Sequence, residues 1–168
     1  MASFGREALI GLSSDNMPLQ TFGRYIVQIP GGAARIECSR LQEAAAARPG
    51  IQHMINLNTR LLMMLTLQYV ACNAVHSVEA RCSRWIVATH DRVKRDARPL
   101  THESLAETLG VQRSTVSAVI QALQNRGLIH QGRGSITVVD RLGLQEAACE
   151  CYGILRERYL QMSPNVPR

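Results

Sequence analysis

The stretch THESLAETLGVQRSTVSAVIQALQNRGLIHQGRGSITVVD, residues 101–140, decides the fold. Its apolar residues recur at helical spacing on both sides of Gly110, which predicts two helices joined at that glycine. Two helices that cross steeply need a small residue at their contact and a turn residue that tolerates positive φ, and Ala106 and Gly110 supply these. Apolar side chains then lock the pair together: Leu105, Leu109, Val111, Val116 and Val119. Two short strands around Gly132-Arg133-Gly134 follow, so the stretch predicts a winged helix-turn-helix.

The second helix of this pair, expected over residues 112–125, carries many small polar residues in its first turns. No acid occurs from Thr108 to Val139. An α-helix fits the major groove of DNA with its first turns against the base edges, and an arginine such as Arg113 can donate two hydrogen bonds to a guanine. We therefore expect this face, the start of the preceding helix and the hairpin tip to contact DNA through Thr101, Gln112, Arg113, Ser114, Thr115, Ser117 and Arg133. Thr101 is also the expected N-cap of the preceding helix, and the alternative for this residue is that it only caps.

A long helical pattern without Gly or Pro precedes this unit, from Ile51 to Val75. Within this pattern a set of mainly apolar residues recurs in steps of three and four, which is the spacing of a coiled-coil seam. We expect this seam to bury itself against a second copy of the chain through Met54, Leu57, Leu61, Met64, Gln68, Ala71 and Val75. The alternative is an ordinary core helix of a monomer.

The two ends of the chain have weaker patterns. Residues 25–29 and 33–37 predict two strands around a Pro-Gly-Gly turn, and a short helix follows, with Ser39 as its N-cap and Pro49-Gly50 as its stop. Two strands and a helix bury little surface, so this looks like the end of a larger domain. At the other end, Asp140 is expected to cap a last helix that continues as far as Leu160, interrupted only at Gly153.

Composition narrows the partners. The chain has 168 residues, 46% of them hydrophobic, with a formal net charge of +6 and a pI near 9.5. This basic balance favours a polyanionic partner. The N-terminus lacks the pattern of a signal peptide, and the most apolar run is too short to span a membrane, so we expect a cytoplasmic protein without a membrane partner.

The cysteines and histidines show no pattern of a reactive or metal site. The five cysteines include no C-x-x-C pair, and on one helix Cys149 and Cys151 would diverge, so we expect buried or half-buried thiols and no chelate. The histidines are scattered over different elements, without a nucleophile and orienting acid or an H-x-x-x-H spacing. We therefore expect no catalytic residue, no cofactor and no metal.

The runs NAVHSVEARCSRWIVATHDRV and PLTHESLAETLGVQRSTVSAVIQALQNRGLIHQGRGSITVVDRLGL resemble the Crp/Fnr family of bacterial transcription regulators. With the long helix and VQIPGGAARI, the resemblance covers residues 20–160. It implies a homodimer through the long helix that binds a two-fold symmetric DNA site, with RNA polymerase as a further candidate partner. By position, Arg113, Ser114 and Ala118 fall where the family reads bases. Thr101, Gln112 and Thr115 fall where it holds phosphates.

The sequence also departs from that family. Only residues 1–49 precede the long helix, so most of the family's sensor β-roll is expected to be missing. Ser114 and Ala118 stand where the family has charged base readers, which puts its usual DNA half-site in question. The arginine-serine pair of a cyclic-nucleotide site is not evident around Arg24, and the N-terminal cysteine cluster of the iron–sulfur members is missing. We therefore expect neither a bound cyclic nucleotide nor an iron–sulfur cluster.

These observations predict a mainly α protein with a small β component. Its expected parts are a β-roll remnant (1–49), a long dimerisation helix (50–76), a winged helix-turn-helix domain (77–139), and a C-terminal helix and tail (140–168). The expected function is that of a sequence-specific, DNA-binding transcription regulator, not an enzyme. The alternative is a winged-helix module that binds a protein and not a specific DNA sequence.

Overall fold

The computed structural model describes residues 4–5, 8–11, 25–93 and 97–162, which are mainly helical, as expected. The helices are α1 (Cys38–Ala47), α2 (Pro49–Val75), α3 (Val78–Arg92), α4 (His102–Leu109), α5 (Arg113–Asn125), α6 (Arg141–Glu146) and α7 (Cys151–Met162). The strands are β1 (Ala97–Pro99), β2 (Ile129–Gly132) and β3 (Ser135–Val138). Within these residues no helix combines the length and the apolarity that crossing a membrane requires.

The predicted helix-turn-helix is formed by α4 and α5. Thr101 caps α4, and Gly110 follows it with a φ of 67°, in the left-handed region that favours glycine. Helices α3, α4 and α5 and the hairpin share one apolar core, which includes Ile86, Leu105, Val116, Ile120, Leu123, Ile129 and Ile136. Full burial of an aliphatic side chain of this size contributes about 1.5–3 kcal/mol, so this core fixes the angle between the two helices.

The wing is a three-stranded antiparallel sheet in the order β1-β3-β2. The sequence predicted only the hairpin of β2 and β3, and residues 97–99 form a third strand that it did not predict. They pair with β3 in the register Ala97↔Thr137. The reason is that β2 occupies one edge of β3 and leaves the other edge open to a further strand. Proline is tolerated on such an edge strand.

Helix α2 starts earlier than predicted and packs within the chain. It begins at Pro49, which the sequence analysis took for a helix stop, because proline is favoured at the first helical position, where its missing N–H is not needed. Its buried residues Leu61, Leu65 and Tyr69 pack with Leu155 of α7. This part of α2 is therefore a core helix of the chain itself.

The N-terminal prediction was wrong for the described residues. Residues 25–37 form no strand, and α1 is preceded by Glu37 as its N-cap position instead of Ser39. An isolated two-stranded hairpin is at best marginally stable, and no other strand is paired with this segment in the part of the chain that the structure describes. The segment contacts α4 instead, where Gln28 Nε2 donates to Thr108 Oγ1 at 3.0 Å.

The expected continuous C-terminal helix is broken. Asp140 does cap α6, since its Oδ1 accepts from the Gly143 backbone N–H at 2.9 Å. Helix α6 ends at Glu146 and α7 starts at Cys151, while Gly153 lies inside α7 without interrupting it. The break follows from packing, because the turn buries Cys149 against α2 and α3, with its backbone N–H donating to the Ala80 carbonyl at 3.4 Å.

Candidate nucleic-acid interface

Helix α5 separates an anchoring face from an exposed polar face. Val116, Ile120 and Leu123 are fully buried in the domain core. On the other side, the residues predicted to meet DNA are exposed: Gln112, Arg113, Ser114, Thr115 and Ala118. We call these five residues the recognition surface. They lie together at the N-terminal end of α5, which is the part of such a helix that reaches base edges in a major groove.

An acid lies next to Arg113 in space although the sequence around it contains none. Glu103, in the first turn of α4, places Oε2 at 3.9 Å from Arg113 Nε, and the two side chains are 68% and 71% exposed. The acid-free stretch from Thr108 to Val139 therefore does not give an acid-free surface. An ion pair this exposed contributes at most about 1 kcal/mol, so the guanidinium can exchange Glu103 for another anion or acceptor.

Ser117 is less accessible than the sequence suggested. Its hydroxyl donates to the Arg113 carbonyl at 3.0 Å and lies 2.8 Å from His102 Nδ1. Because the hydroxyl hydrogen is already used, the imidazole Nδ1–H is the donor to Ser117, and His102 Nε2 then accepts from Gln131 Nε2 at 2.9 Å. This chain of hydrogen bonds joins α4, α5 and β2. It fixes the orientation of α5 relative to the wing.

The other predicted contacts lie at the edges of the recognition surface. Thr101 is exposed and takes part in a capping box, in which its Oγ1 accepts from the Ser104 backbone N–H at 3.1 Å. Gln112 occupies the N-cap position of α5 without a side-chain cap hydrogen bond, so its amide is free to contact a ligand. Arg133 is exposed at the hairpin tip, next to Gly134, whose φ is 70°.

The residues predicted for the dimer seam do not share one environment. Met54, Ala71 and Val75 are exposed, Leu57, Met64 and Gln68 are half-buried, and Leu61 is buried within the chain. A second apolar stripe is exposed on the opposite face of α2, where Met63, Leu67 and Val70 are 65%, 60% and 64% exposed. Their spacing of four and three residues is also that of a coiled-coil seam.

A cluster that the sequence analysis missed lies where α2 meets the start of α7. One ligand atom of each of Cys72, His76, Cys149 and Cys151 lies within 4.8 Å of all the others. We expected Cys149 and Cys151 to diverge on one helix, but the break between α6 and α7 lets both thiols face α2. Linear spacing gives little signal of this, because Cys72 and Cys149 are 77 residues apart. The only local sign of the cluster in the sequence is the i, i+4 spacing of Cys72 and His76.

The thiols of this cluster differ in their pKa. Burial raises the pKa of Cys149 to about 12 and also raises that of Cys151. Burial acts in the same direction on Cys72, but the charge of Arg84 and hydrogen bonds within the cluster lower the pKa of that thiol below its ordinary value. A hydrogen bond with Cys72 is the largest influence that raises the pKa of His76.

Helix, turn, helix and a three-stranded wing around one core define a winged helix-turn-helix. Residues 80–147 match the family model of the Crp-like helix-turn-helix domain, so this part of the chain is a domain of that type. The resemblance expected from the sequence is confirmed over that range. No curated protein sequence matches the chain.

Solved structures of similar fold cover more of the chain than the helix-turn-helix domain. FixK2 from Bradyrhizobium japonicum is similar with a TM-score of 0.63, at 16% identity, over 68% of this chain and 60% of that protein. A CRP-family transcriptional regulator from Thermus thermophilus is similar with a TM-score of 0.52, at 23% identity, over 59% of this chain and 54% of that protein. The chain thus spans between half and two thirds of these proteins and shares the fold of Crp-family regulators.

Proposed function

We propose that the chain is a sequence-specific DNA-binding transcription regulator that acts as a homodimer on a two-fold symmetric site. The observation that carries this proposal is the recognition surface, which is exposed, polar and located at the N-terminal end of α5 in a Crp-like helix-turn-helix domain. The net charge of +6 favours a polyanion such as DNA. The similarity to a protein described as a CRP-family transcriptional regulator points to the same role.

Each residue of the interface has a proposed role. Arg113 donates to guanine O6 and N7, a contact that discriminates against the wrong base by about 1–3 kcal/mol. Ser114 and Ala118 offer only short side chains, so Arg113 provides most of the direct base recognition. Gln112 and Thr115 hold phosphates beside the positive end of α5.

The periphery of the interface orients the protein on the duplex. Arg133 on the wing and Thr101 at the start of α4 contact the DNA backbone, which sets the register of α5 and carries no sequence information. Ser117 acts mainly as a positioning residue, because its hydroxyl is held by Arg113 and His102.

The proposed dimer forms through α2. Leu61 belongs to the core of the chain and is not available for a partner. The stripe of Met63, Leu67 and Val70 is exposed and has the required spacing, and burying these residues against a second copy would remove three large apolar side chains from water. Such a dimer presents two α5 helices to successive major grooves. RNA polymerase remains a candidate partner of the DNA-bound dimer.

Selection of binding sites from random duplex DNA tests the function. A two-fold symmetric sequence is expected to be enriched, and Arg113→Ala is expected to lose preference at one base pair per half-site, by about 10- to 100-fold. Arg158→Ala, which removes the same charge from the exposed face of α7, is the matched control and should retain the preference. Affinity should also fall steeply with salt, as phosphate contacts require. Selection without a symmetric sequence would favour the alternative, a winged-helix module that binds protein.

A further inference from the structure

The cluster of Cys72, His76, Cys149 and Cys151 has the composition of a transition-metal site. Cys72 lies in the last turn of α2 and His76 follows that helix as its C-cap residue. Cys149 lies in the turn before α7, and Cys151 is the first residue of α7. The three thiols are buried, and His76 is half-buried. Thiolate and imidazole are soft to borderline ligands that select Zn²⁺ over Mg²⁺ or Ca²⁺. Three cysteines and one histidine are a common ligand set of structural zinc.

The distances between the ligand atoms fit a tetrahedron around one ion. With Zn–S near 2.3 Å and Zn–N near 2.0–2.1 Å, tetrahedral angles place two sulfurs about 3.8 Å apart and a sulfur and a nitrogen about 3.6 Å apart. In the structure, Cys72 Sγ lies 3.5 Å from Cys149 Sγ, and Cys151 Sγ lies 3.7 Å from His76 Nδ1. All four atoms lie within 4.8 Å of one another, so one ion can contact all of them after small side-chain adjustments.

Neighbouring groups orient the ligands as they do around bound metals. His76 Nε2 lies 3.0 Å from Glu150 Oε1, which holds the ring so that Nδ1 faces the thiols. Metal-bound histidines usually donate their second N–H to a carboxylate or carbonyl in this way. Gln68 Nε2 donates to Cys151 Sγ at 3.0 Å, a contact that stabilises a thiolate.

A buried arginine balances the charge of such a site. Three thiolates and one Zn²⁺ carry a net charge of −1. The Arg84 side chain is 4% exposed, and its Nε has no hydrogen-bond partner in the described part of the chain. Its guanidinium lies over the Tyr69 ring, 4.4 Å from the centroid, and its charge acts on both Cys72 and Cys149. Among the described residues no carboxylate forms an ion pair with Arg84. A buried cation is unfavourable without a counter-charge, and an anionic zinc-thiolate centre would supply one.

We propose that Cys72, His76, Cys149 and Cys151 form a closed, tetrahedral Zn²⁺ site that fastens the start of α7 to α2. All four positions are protein ligands, so the ion has a structural role and no open position for a substrate. Binding releases the protons of the thiols to solvent. Because Leu155 of α7 covers Leu61 and Leu65 of α2, the ion also stabilises the packing of the proposed dimerisation helix. The site itself does not depend on the proposed DNA binding.

The metal content of the purified full chain tests this proposal. The chain is purified under reducing conditions without a metal-chelating tag, and elemental analysis is expected to find one zinc per chain. Replacement of the zinc by Co²⁺ should give the d–d bands and thiolate charge-transfer bands of a tetrahedral site. Cys72→Ser and Cys151→Ser should lose the metal. Cys38→Ser, which changes an exposed thiol on α1 outside the cluster, is the matched control and should retain it.

A milder variant keeps the test informative if ligand variants fail to fold. Glu150→Gln retains all four ligands and removes only the carboxylate that orients His76, so zinc affinity should fall by about 10- to 100-fold while the fold is maintained. A metal-free protein whose thiols all react with a thiol reagent and that gives no tetrahedral Co²⁺ spectrum would overturn the proposal. A Cys72–Cys149 disulfide in the protein as isolated from cells, detected by mass spectrometry, would overturn it too.

Discussion

Replacing Glu103 by Gln should strengthen DNA binding, because the carboxylate competes with DNA for Arg113. The two side chains are 3.9 Å apart and about two-thirds exposed, so their pairing is worth about 0.2–1 kcal/mol in water. Arg113 must leave Glu103 to reach a guanine, and this energy is then subtracted from the free energy of binding. Removing the Glu103 carboxylate should therefore tighten DNA binding by up to about fivefold per half-site, or about 25-fold for a dimer.

Fluorescence anisotropy with a duplex that carries the selected site, at constant salt, measures this change. Glu107→Gln on the same helix is the control for net charge, because Glu107 is also exposed. A double-mutant cycle with Arg113→Ala isolates the interaction, since the benefit of Glu103→Gln should shrink when Arg113 is absent. Weaker binding by Glu103→Gln, or an equal benefit with and without Arg113, would refute the reasoning.

Three further variants have expected outcomes. Tyr152→Phe should lower the free energy of unfolding by about 1.5–3 kcal/mol in urea titrations, because the phenol donates to the Asp91 carboxylate at 2.6 Å. Burial and the Asp91 carboxylate raise the pKa of Tyr152 above the ordinary tyrosine value near 10. The stabilisation by the phenol is therefore present below about pH 10 and is lost as the pH rises through the folded pKa, so the variant should lose less stability above about pH 10 than the parent chain does. Leu67→Asp should shift the chain from dimer to monomer in sedimentation experiments, with the helix content unchanged. A dimer that is unaffected by this change would show that the interface does not use the stripe of Met63, Leu67 and Val70. Ser117→Ala should weaken DNA binding without changing base preference, because His102 loses its acceptor; a changed base preference in site selection would instead make Ser117 a direct reader.

Much of the winged helix-turn-helix could be predicted from the sequence because its signals are local. Gly110 needs positive φ, Thr101 caps the helix that follows it, and the apolar positions of α5 recur every three or four residues. These are interactions between near neighbours in the chain, and the structure shows each of them where the pattern predicted it. The match of residues 80–147 to the Crp-like domain covers this same region.

Other features of the structure could not be predicted from the sequence, because they depend on which distant segments contact each other in the fold. The carboxylate of Glu103 reaches Arg113 only because α4 and α5 cross at Gly110, and β1 forms only because β3 has an open edge. The apolar pattern of α2 was visible in the sequence, yet α7 decides that Leu61 faces inward while Leu67 stays exposed.

The cysteine cluster shows most directly the difference between what local periodicity predicts and what tertiary packing decides. Periodicity predicted one continuous helix through Cys149 and Cys151, whereas tertiary packing breaks that helix and turns both thiols toward Cys72 and His76. The sequence by itself thus determined the helix-turn-helix, because caps and periodic burial act within a few residues. The tertiary structure decided the charge beside Arg113 and the four-ligand cluster, because both arise from contacts between segments far apart in the chain.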